Sequence, residues 1–323
     1  MNFRPLIPFV ALFASLSVSG AASLGIGPKD LDLQGIKQIK QSNRIFLPTV
    51  YVEVMNWGKI TSVTQTSALQ TLGGANNSTA RSTLEIVVPS DVEMLRSVAG
   101  ELYEDLAGKL RASGWEVITH AEVAGEKVMQ GVSQEPVDQK LGAPVRKVSL
   151  GKQKMHYTIA APEGMPVIDP GMTMPLFGLR GLLKQQNFSA METTYRFDPV
   201  ALEAKGRHGI ASNTASTNAE AKLALVHAQA SLLTAKTYPG VIRLKKPVAV
   251  DGSIGEVKKA ADVSPGVANA LSAALGMATG LGSINAKKGL YVCDVDQAAL
   301  KEALLGAGKA FNDEIVKTVG RPD

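Results

Sequence analysis

The chain has 323 residues, a formal net charge of +5 and a single cysteine, Cys293. A disulfide within the chain and a zinc site built from cysteines are therefore excluded. Aromatic residues make up 5% of the chain, and the basic residues form no long block. Both features argue against a nucleic-acid partner.

The N-terminus has the pattern of an export signal. Arg4 precedes an apolar run over residues 6–18, and small residues follow that run. We expect a signal peptide over residues 1–22, cleaved near Ala21 or Ala22, with an uncleaved anchor as the alternative. No cysteine lies near this position, so the acylation box of bacterial lipoproteins is absent. A large exported protein without disulfides is typical of a bacterial periplasm.

The first part of the mature chain predicts a strand and a polar loop. Residues 45–54 are rich in β-branched and aromatic side chains, and Trp57 and Gly58 are expected to end this strand. Residues 62–82 are rich in Ser, Thr, Asn and Gly. This composition favours a loop or the tip of a hairpin.

The clearest pattern is a strand, a helix and a second strand over residues 83–123. Residues 84–88 are apolar except for Glu85, and Pro89 follows them. Asp91 can cap a helix whose apolar residues recur every three or four positions, and Gly114 suits its C-terminal end. Residues 115–123 are then predicted to form the second strand.

The middle of the chain predicts a mixture of both element types. Residues 145–161 alternate as in one or two strands, and residues 176–186 favour a short helix. The Asp-Pro pair at the end of residues 192–199 predicts the end of a strand and the start of a helix that continues to Gly206. Residues 219–236 are rich in Ala and Leu, which predicts another helix.

The C-terminal part begins with a strand predicted at residues 241–244. Residues 263–284 are small and apolar, and we expect a soluble helix or a Gly-rich loop there, with a membrane-associated helix as the alternative. Residues 289–294 predict a strand. Asp296 then caps an amphipathic helix that ends at Val319.

These elements predict an α/β fold, with α+β as the alternative. We expect a mixed sheet packed by amphipathic helices, with inserted loops. No repeat and no clear linker is visible, so residues 23–323 are expected to form a single domain. A division into lobes of residues 23–144 and 145–323 is the alternative.

One group of residues has the chemistry of a metal site. Thioether sulfurs and an imidazole are soft ligands suited to copper(I), and a periplasmic location is consistent with that metal. The alternative is that methionines fill irregular gaps in the core beside a Pro-rich loop. The candidate ligands are Met155, His156, Met165, Met172 and Met174.

The sequence contains no known catalytic motif. Cys293 lies on a predicted strand, where a cysteine usually serves as a small apolar residue. The other histidines are far apart, and nothing in the sequence brings the carboxylates of Glu192, Asp198, Asp294 and Asp296 together. We therefore expect no enzymatic activity and no cofactor, with an enzyme built on a non-local site as the alternative.

The strand–helix–strand pattern also supports a family resemblance. The helix segment LYEDLAGKLRASGWEVIT and its flanking strands resemble the α/β unit of the curli-secretion channel family (CsgG-like) and of the TolB N-terminal domain. The closing strand and long helix resemble the end of CsgG-like domains. The resemblance covers residues 45–123 and 289–319. The lipid-anchor cysteine of the channel family is absent, and pore formation is not supported.

The resemblance implies a structural role in the cell envelope. It predicts a non-enzymatic protein that acts in envelope assembly or secretion, with other envelope proteins as its partners. Peripheral contact with the outer membrane is an additional expectation. The alternative function is a periplasmic ligand- or copper-binding protein that uses the loop of residues 155–175.

Overall fold

The structure is a computed structural model that describes most of the chain after its N-terminus. The described residues are 25–37, 42–65, 79–89, 91–130, 134–168, 179–207, 214–234, 240–260 and 290–322. The predicted signal peptide and the apolar stretch 263–284 lie outside the described residues, so both stay predictions.

The described residues form 14 strands, a short 3-10 turn at Pro28–Asp30 and five α helices. The strands are β1 (Leu31–Gln34), β2 (Arg44–Phe46), β3 (Val50–Gln65), β4 (Thr79–Val87), β5 (Glu116–Ile118), β6 (Val137–Asp138), β7 (Ala143–Leu150), β8 (Gln153–Ala160), β9 (Ser189–Arg207), β10 (Thr214–Leu233), β11 (Gly240–Leu244), β12 (Val248–Ala249), β13 (Gly255–Lys259) and β14 (Leu290–Val295). The helices are α1 (Val92–Ala112), α2 (His120–Val123), α3 (Lys127–Gln130), α4 (Arg180–Gln186) and α5 (Gln297–Val319). The predicted combination of a mixed sheet with helices is confirmed, and strands dominate.

The sheet is mixed, and β3 is its central strand. The strands follow the order β1-β11-β10-β9-β3-β4-β14-β13, with β8 and then β7 on the other edge of β3. The first part of β3 pairs in parallel with β9, from Val50 opposite Thr193 to Val54 opposite Phe197. The second part pairs with β4 in antiparallel fashion, from Trp57 opposite Val87. A bulge between Met55 and Trp57 marks the change of partner.

Helices α1 and α5 cover one side of the sheet, which we call the helix side. Their apolar residues pack on alternate residues of β3, β9, β10 and β11. Asp91 caps α1 through the N–H of Met94, and Asp296 caps α5 through the N–H groups of Ala298 and Ala299. The predicted caps of both helices are therefore confirmed. None of the helices within the described ranges has the length and apolarity needed to cross a membrane.

A second apolar core lies on the opposite side of the sheet. Beyond Phe197, β9 no longer pairs with β3, and the β9–β10 hairpin packs across the sheet. Leu202 contacts the site of Gly58, and the Ser62 hydroxyl donates to the Lys205 carbonyl at 2.9 Å. A third cluster around Leu182 and Leu183 of α4 packs near the start of β9.

Two helix predictions in the middle of the chain are wrong. Strand β9 continues through Asp198 and Pro199 to Arg207, and residues 214–233 form strand β10 instead of a helix. The two strands pair in antiparallel fashion from Arg207 opposite Thr214 to Ala190 opposite Leu233. Long-range pairing therefore overrides the local helix propensity of Ala and Leu.

Two strand predictions have incorrect boundaries. Strand β3 runs through Trp57 and Gly58 to Gln65, since β4 and β8 pair with both of its edges there. The strand predicted at residues 115–123 is limited to β5, because Thr119 is the N-cap of helix α2. The Thr119 N–H donates to the Glu122 carboxylate there. The predicted strands β4, β11 and β14 and helix α4 are present.

The close packing of α1 on α5 predicts that replacing two glycines of α5 by alanine has opposite effects on stability. A Cβ at Gly308 would lie 2.6 Å from two methyl carbons of the fully buried Leu102, whereas a Cβ at Gly306 would meet nothing within 4 Å. We expect Gly308→Ala to lower the free energy of unfolding by about 1–3 kcal/mol through overpacking. Gly306→Ala should raise it by about 1 kcal/mol through helix propensity. Denaturant titrations measure both, and an equal gain from both changes would contradict the packing described here.

Candidate functional site

Ionisable side chains from five strands gather on the side of the sheet opposite α1 and α5. They lie on alternate residues of β3, β8 and β9, whose other residues face the helices. We call this group the charged cluster, and its members are Tyr51, Glu53, Arg146, Tyr157, Glu192, Arg196, Asp198 and His227.

Strand register brings these residues together from distant parts of the chain. Glu53 of β3 is opposite Arg196 of β9, and Arg196 is opposite His227 of β10. Arg146 of β7 is opposite Tyr157 of β8. Residues directly opposite each other in neighbouring strands share one side of the sheet. The cluster therefore exists only when β7, β8, β3, β9 and β10 are assembled in this order.

Glu53 is the centre of the cluster. Its side chain is 0% exposed and lies between two guanidinium groups. Arg196 Nε donates to Glu53 Oε2 at 2.5 Å. Arg146 Nη1 lies 2.9 Å from Glu53 Oε1, an ion pair in which Oε1 accepts no hydrogen bond. One buried carboxylate thus neutralises one of the two arginine charges.

Arg196 is also held from a second direction. Its guanidinium carbon lies 4.9 Å from the centre of the Tyr157 ring, a cation–π contact. The Tyr157 hydroxyl donates to Asp198 Oδ1 at 2.8 Å, which fixes the ring. Its planar head is therefore held in one orientation by an ion pair and a ring contact.

Glu192 forms a second carboxylate position beside Glu53. The side chain is buried, and the Tyr51 hydroxyl lies 3.5 Å from Glu192 Oε2. The same hydroxyl accepts the backbone N–H of Ile168 at 3.0 Å. This contact ties the segment that follows β8 to the edge of the cluster.

Burial raises the pKa of two carboxyl groups of the cluster, those of Glu192 and Asp198. It raises the pKa of Glu192 to about 7, although Tyr51 and Arg146 oppose the shift. It raises the pKa of Asp198 to about 6 against the effects of Tyr157 and Arg196. Burial, with the positive charge of Arg196 next, lowers the pKa of His227. The cluster therefore holds groups that gain or lose protons near neutral pH.

The exposure of the arginines makes the cluster reachable from solvent. The side chains of Arg146 and Arg196 are 30% and 17% exposed. Thr194, His227 and Gln229 beside them are half-buried. The arrangement can bind a partner by ion pairs and hydrogen bonds, because arginine is enriched where proteins contact each other.

The structure separates the described members of the predicted metal site. Met155 and His156 are neighbours on β8, so their side chains point to opposite sides of the sheet. Met155 packs in the second core, and the ring centre of His156 lies 4.6 Å from that of Trp57 on the helix side. Met165 packs beside Tyr51 instead. Met172 and Met174 lie outside the described residues, so their role stays a prediction.

The other residues considered from the sequence are dispersed. Cys293 is buried in the second core, and burial raises the pKa of its thiol to about 12. The imidazole of His120 lies 3.1 Å from the Pro48 carbonyl oxygen. Asp296 caps α5, as predicted. Within the parts of the chain that the structure describes, no three His, Cys, Asp or Glu side chains are placed to hold a metal ion.

Sequence reasoning named Glu192 and Asp198 but missed Glu53, Arg146 and Arg196. A signal was present, because Glu53 interrupts an otherwise apolar or aromatic strand and Arg196 lies between Tyr195 and Phe197. Such a charge must be paired inside a folded protein. The sequence does not show which residue of opposite charge is its partner.

Comparisons with known proteins do not extend this description. No protein-family model matches the chain, and neither the curated proteins nor the solved structures include a significant match.

The buried position of Glu53 between two arginines predicts that removing its charge lowers stability strongly. Glu53→Gln leaves two guanidinium groups without their shared anion, and we expect a loss of about 3 kcal/mol in the free energy of unfolding. The matched control is Glu116→Gln, which removes an exposed ion pair with Arg44 and should cost less than about 1 kcal/mol. Urea titrations measure both variants. A similar small loss in each would show that the buried triad does not stabilise the fold.

The raised pKa of Glu192 predicts a pH-dependent stability. The ordinary pKa of a glutamate here is 4.5, and the folded value is about 7, so the folded protein holds the proton more tightly. Stability is then full below pH 4.5 and is lost as the pH rises through 7, by up to about 3 kcal/mol.

Asp198, whose pKa is raised, and His227, whose pKa is lowered, also make stability depend on pH. Comparing Glu192→Gln with the wild type isolates the contribution of Glu192, because the other two groups are present in both proteins. We expect the difference in unfolding free energy between the variant and the wild type to grow with pH. Urea titrations at a series of pH values measure it. A difference that is constant with pH would contradict the assigned pKa.

Proposed function

We propose that this chain is an exported, non-enzymatic protein of the bacterial cell envelope that acts in assembly or secretion by contacting other envelope proteins. The charged cluster is the observation that carries the proposal. It offers two half-buried arginines, whose positions are held by Glu53 and Tyr157, on a face of the sheet that solvent reaches. Side chains held in this way lose little entropy when a partner binds.

The location in the envelope has separate support. The N-terminal pattern of one basic residue, an apolar run and small residues is typical of an export signal. The resemblance to CsgG-like domains supports a role in assembly or secretion. Such a protein would act through polar contacts with folded partners, and the charged cluster is the surface that would make these contacts.

The charged cluster has the composition of a contact surface. Polar side chains around two half-buried arginines resemble the rim and centre of transient interfaces. The Arg146–Glu53–Arg196 triad has an excess of one positive charge, and the carboxyl groups of Glu135, Glu192 and Asp198 lie around it, so the cluster offers charges of both signs to a partner. Binding through such a surface is expected to weaken with salt.

Site-specific photo-cross-linking tests the proposed contacts. A photoreactive residue at Gln229, which borders the cluster on β10, should give a discrete adduct with another envelope protein in intact cells. The same residue at Glu302, exposed on α5 on the helix side, should give none. Mass spectrometry identifies the adduct.

The control for this experiment is export itself. Mass spectrometry of the purified protein should show an N-terminus created by cleavage near Ala21 or Ala22. If the chain is processed but Gln229 cross-links to nothing, or only to a second copy of the chain, the proposed contacts are wrong. An unprocessed chain in the cytoplasm would instead contradict the proposed location.

A further inference from the structure

A second surface lies on the helix side, on strands that α1 and α5 do not cover. The core beneath these helices includes Val54 but no later residue of β3. Beyond that point the helix side carries basic residues from four strands and one turn. We call this surface the basic face, and its cations are Lys59, Arg81, Lys147, Lys152 and Lys154.

Strand register places these cations on one side of the sheet. Gly58 faces the second core, so Lys59 on the next position of β3 faces the helix side. Lys154 of β8 is opposite Lys59, and Lys147 of β7 is opposite His156, which stacks on Trp57. Arg81 of β4 is opposite Val63 and follows the same alternation. Lys152 lies in the turn between β7 and β8.

The charge of the basic face is largely uncompensated. Among its described side chains, Glu85 is the single carboxylate, and it lies 2.6 Å from Lys59 Nζ. The three lysines of β7, β8 and their turn are exposed and make no ion pair with a described residue. Burial, with the charge of Lys147 next, lowers the pKa of His156. The face therefore carries a net charge of about +4 from five cations and one anion, without a contribution from the imidazole.

An apolar side chain lies at the tip of the same hairpin. Leu150 is 63% exposed, more than any other large apolar residue described. It precedes Gly151, whose φ of 58° forms the tight turn into β8, and Lys152 follows. Leu150 is opposite Gln153, in phase with Val148 and Met155 of the second core, so its side chain lies on the other side of the sheet and is not part of the basic face.

We propose that the basic face binds an anionic phospholipid surface. Lysines on flexible stems act as point charges that suit many mobile headgroups, whereas specific protein contacts favour arginine and accessible aromatic residues. The aromatic residue of this face, Trp57, is only 6% exposed and is not available as an anchor. Lipid binding here is independent of the protein contacts at the charged cluster, which lies on the other side of the sheet.

Vesicle co-sedimentation of the full-length mature chain tests this proposal. The wild type should bind vesicles of equimolar phosphatidylcholine and phosphatidylglycerol, and should bind pure phosphatidylcholine far less. The triple variant Lys147→Gln, Lys152→Gln, Lys154→Gln should weaken binding by about 100-fold, since each lysine near an anionic surface contributes about five-fold. Leu150→Ser, which changes the other side of the hairpin, should leave binding unchanged, and added salt should weaken binding by the wild type.

A matched control removes the same charge elsewhere. Lys127→Gln, Lys184→Gln, Lys246→Gln changes three lysines outside the basic face, which make no ion pair with a described residue, and should retain most of the binding. Circular dichroism checks that all variants fold alike. Equal losses in the two triple variants, or equal binding to both vesicle types, would overturn the proposal. Binding to poly-glutamate but not to anionic vesicles would assign the face to an acidic protein segment instead.

Discussion

The rest of the structure depends on the pairing of strand β3 along both of its edges. One edge pairs with β8, and the other pairs first with β9 and then with β4. Every backbone group of a buried strand needs a hydrogen-bond partner, so the change from β9 to β4 must occur without leaving a gap. The bulge at Asn56 provides this change, and the Asn56 carbonyl accepts the N–H of Val88 at 2.9 Å. The strand that leaves, β9, then folds back across the sheet and creates the second core.

The same pairing explains why one sheet presents two different charged surfaces. Residues of β3 alternate between the two sides, so Glu53 belongs to the charged cluster and Lys59, beyond the bulge, belongs to the basic face. On one side the charges are paired and largely buried, which makes them a specific and orientated surface. On the other they are exposed and mostly unpaired, which suits a diffuse anionic partner. Function in this protein is thus expected on faces of the sheet rather than in a deep cleft.

Local sequence signals and tertiary pairing conflict most clearly in the β9–β10 hairpin. The Ala- and Leu-rich residues 219–236 have high helix propensity, and Pro199 is a common first residue of a helix. Both segments are strands because each supplies the partner of the other over nearly twenty residues. A propensity of a few tenths of a kcal/mol per residue is smaller than the gain from a continuous ladder packed on two cores. Arg196 and His227 reach the charged cluster only because of this pairing.

The sequence by itself determined the elements whose signals are local. Helices α1 and α5 follow from their apolar periodicity and from the caps at Asp91 and Asp296, and the mixed α/β class follows from the strands beside them. Only the tertiary structure decided which charges meet, because Glu53, Arg146 and Arg196 are 93 and 50 residues apart along the chain. Strand order and register are set by long-range hydrogen bonds and by the burial of one side of each strand, and no short stretch of sequence contains that information.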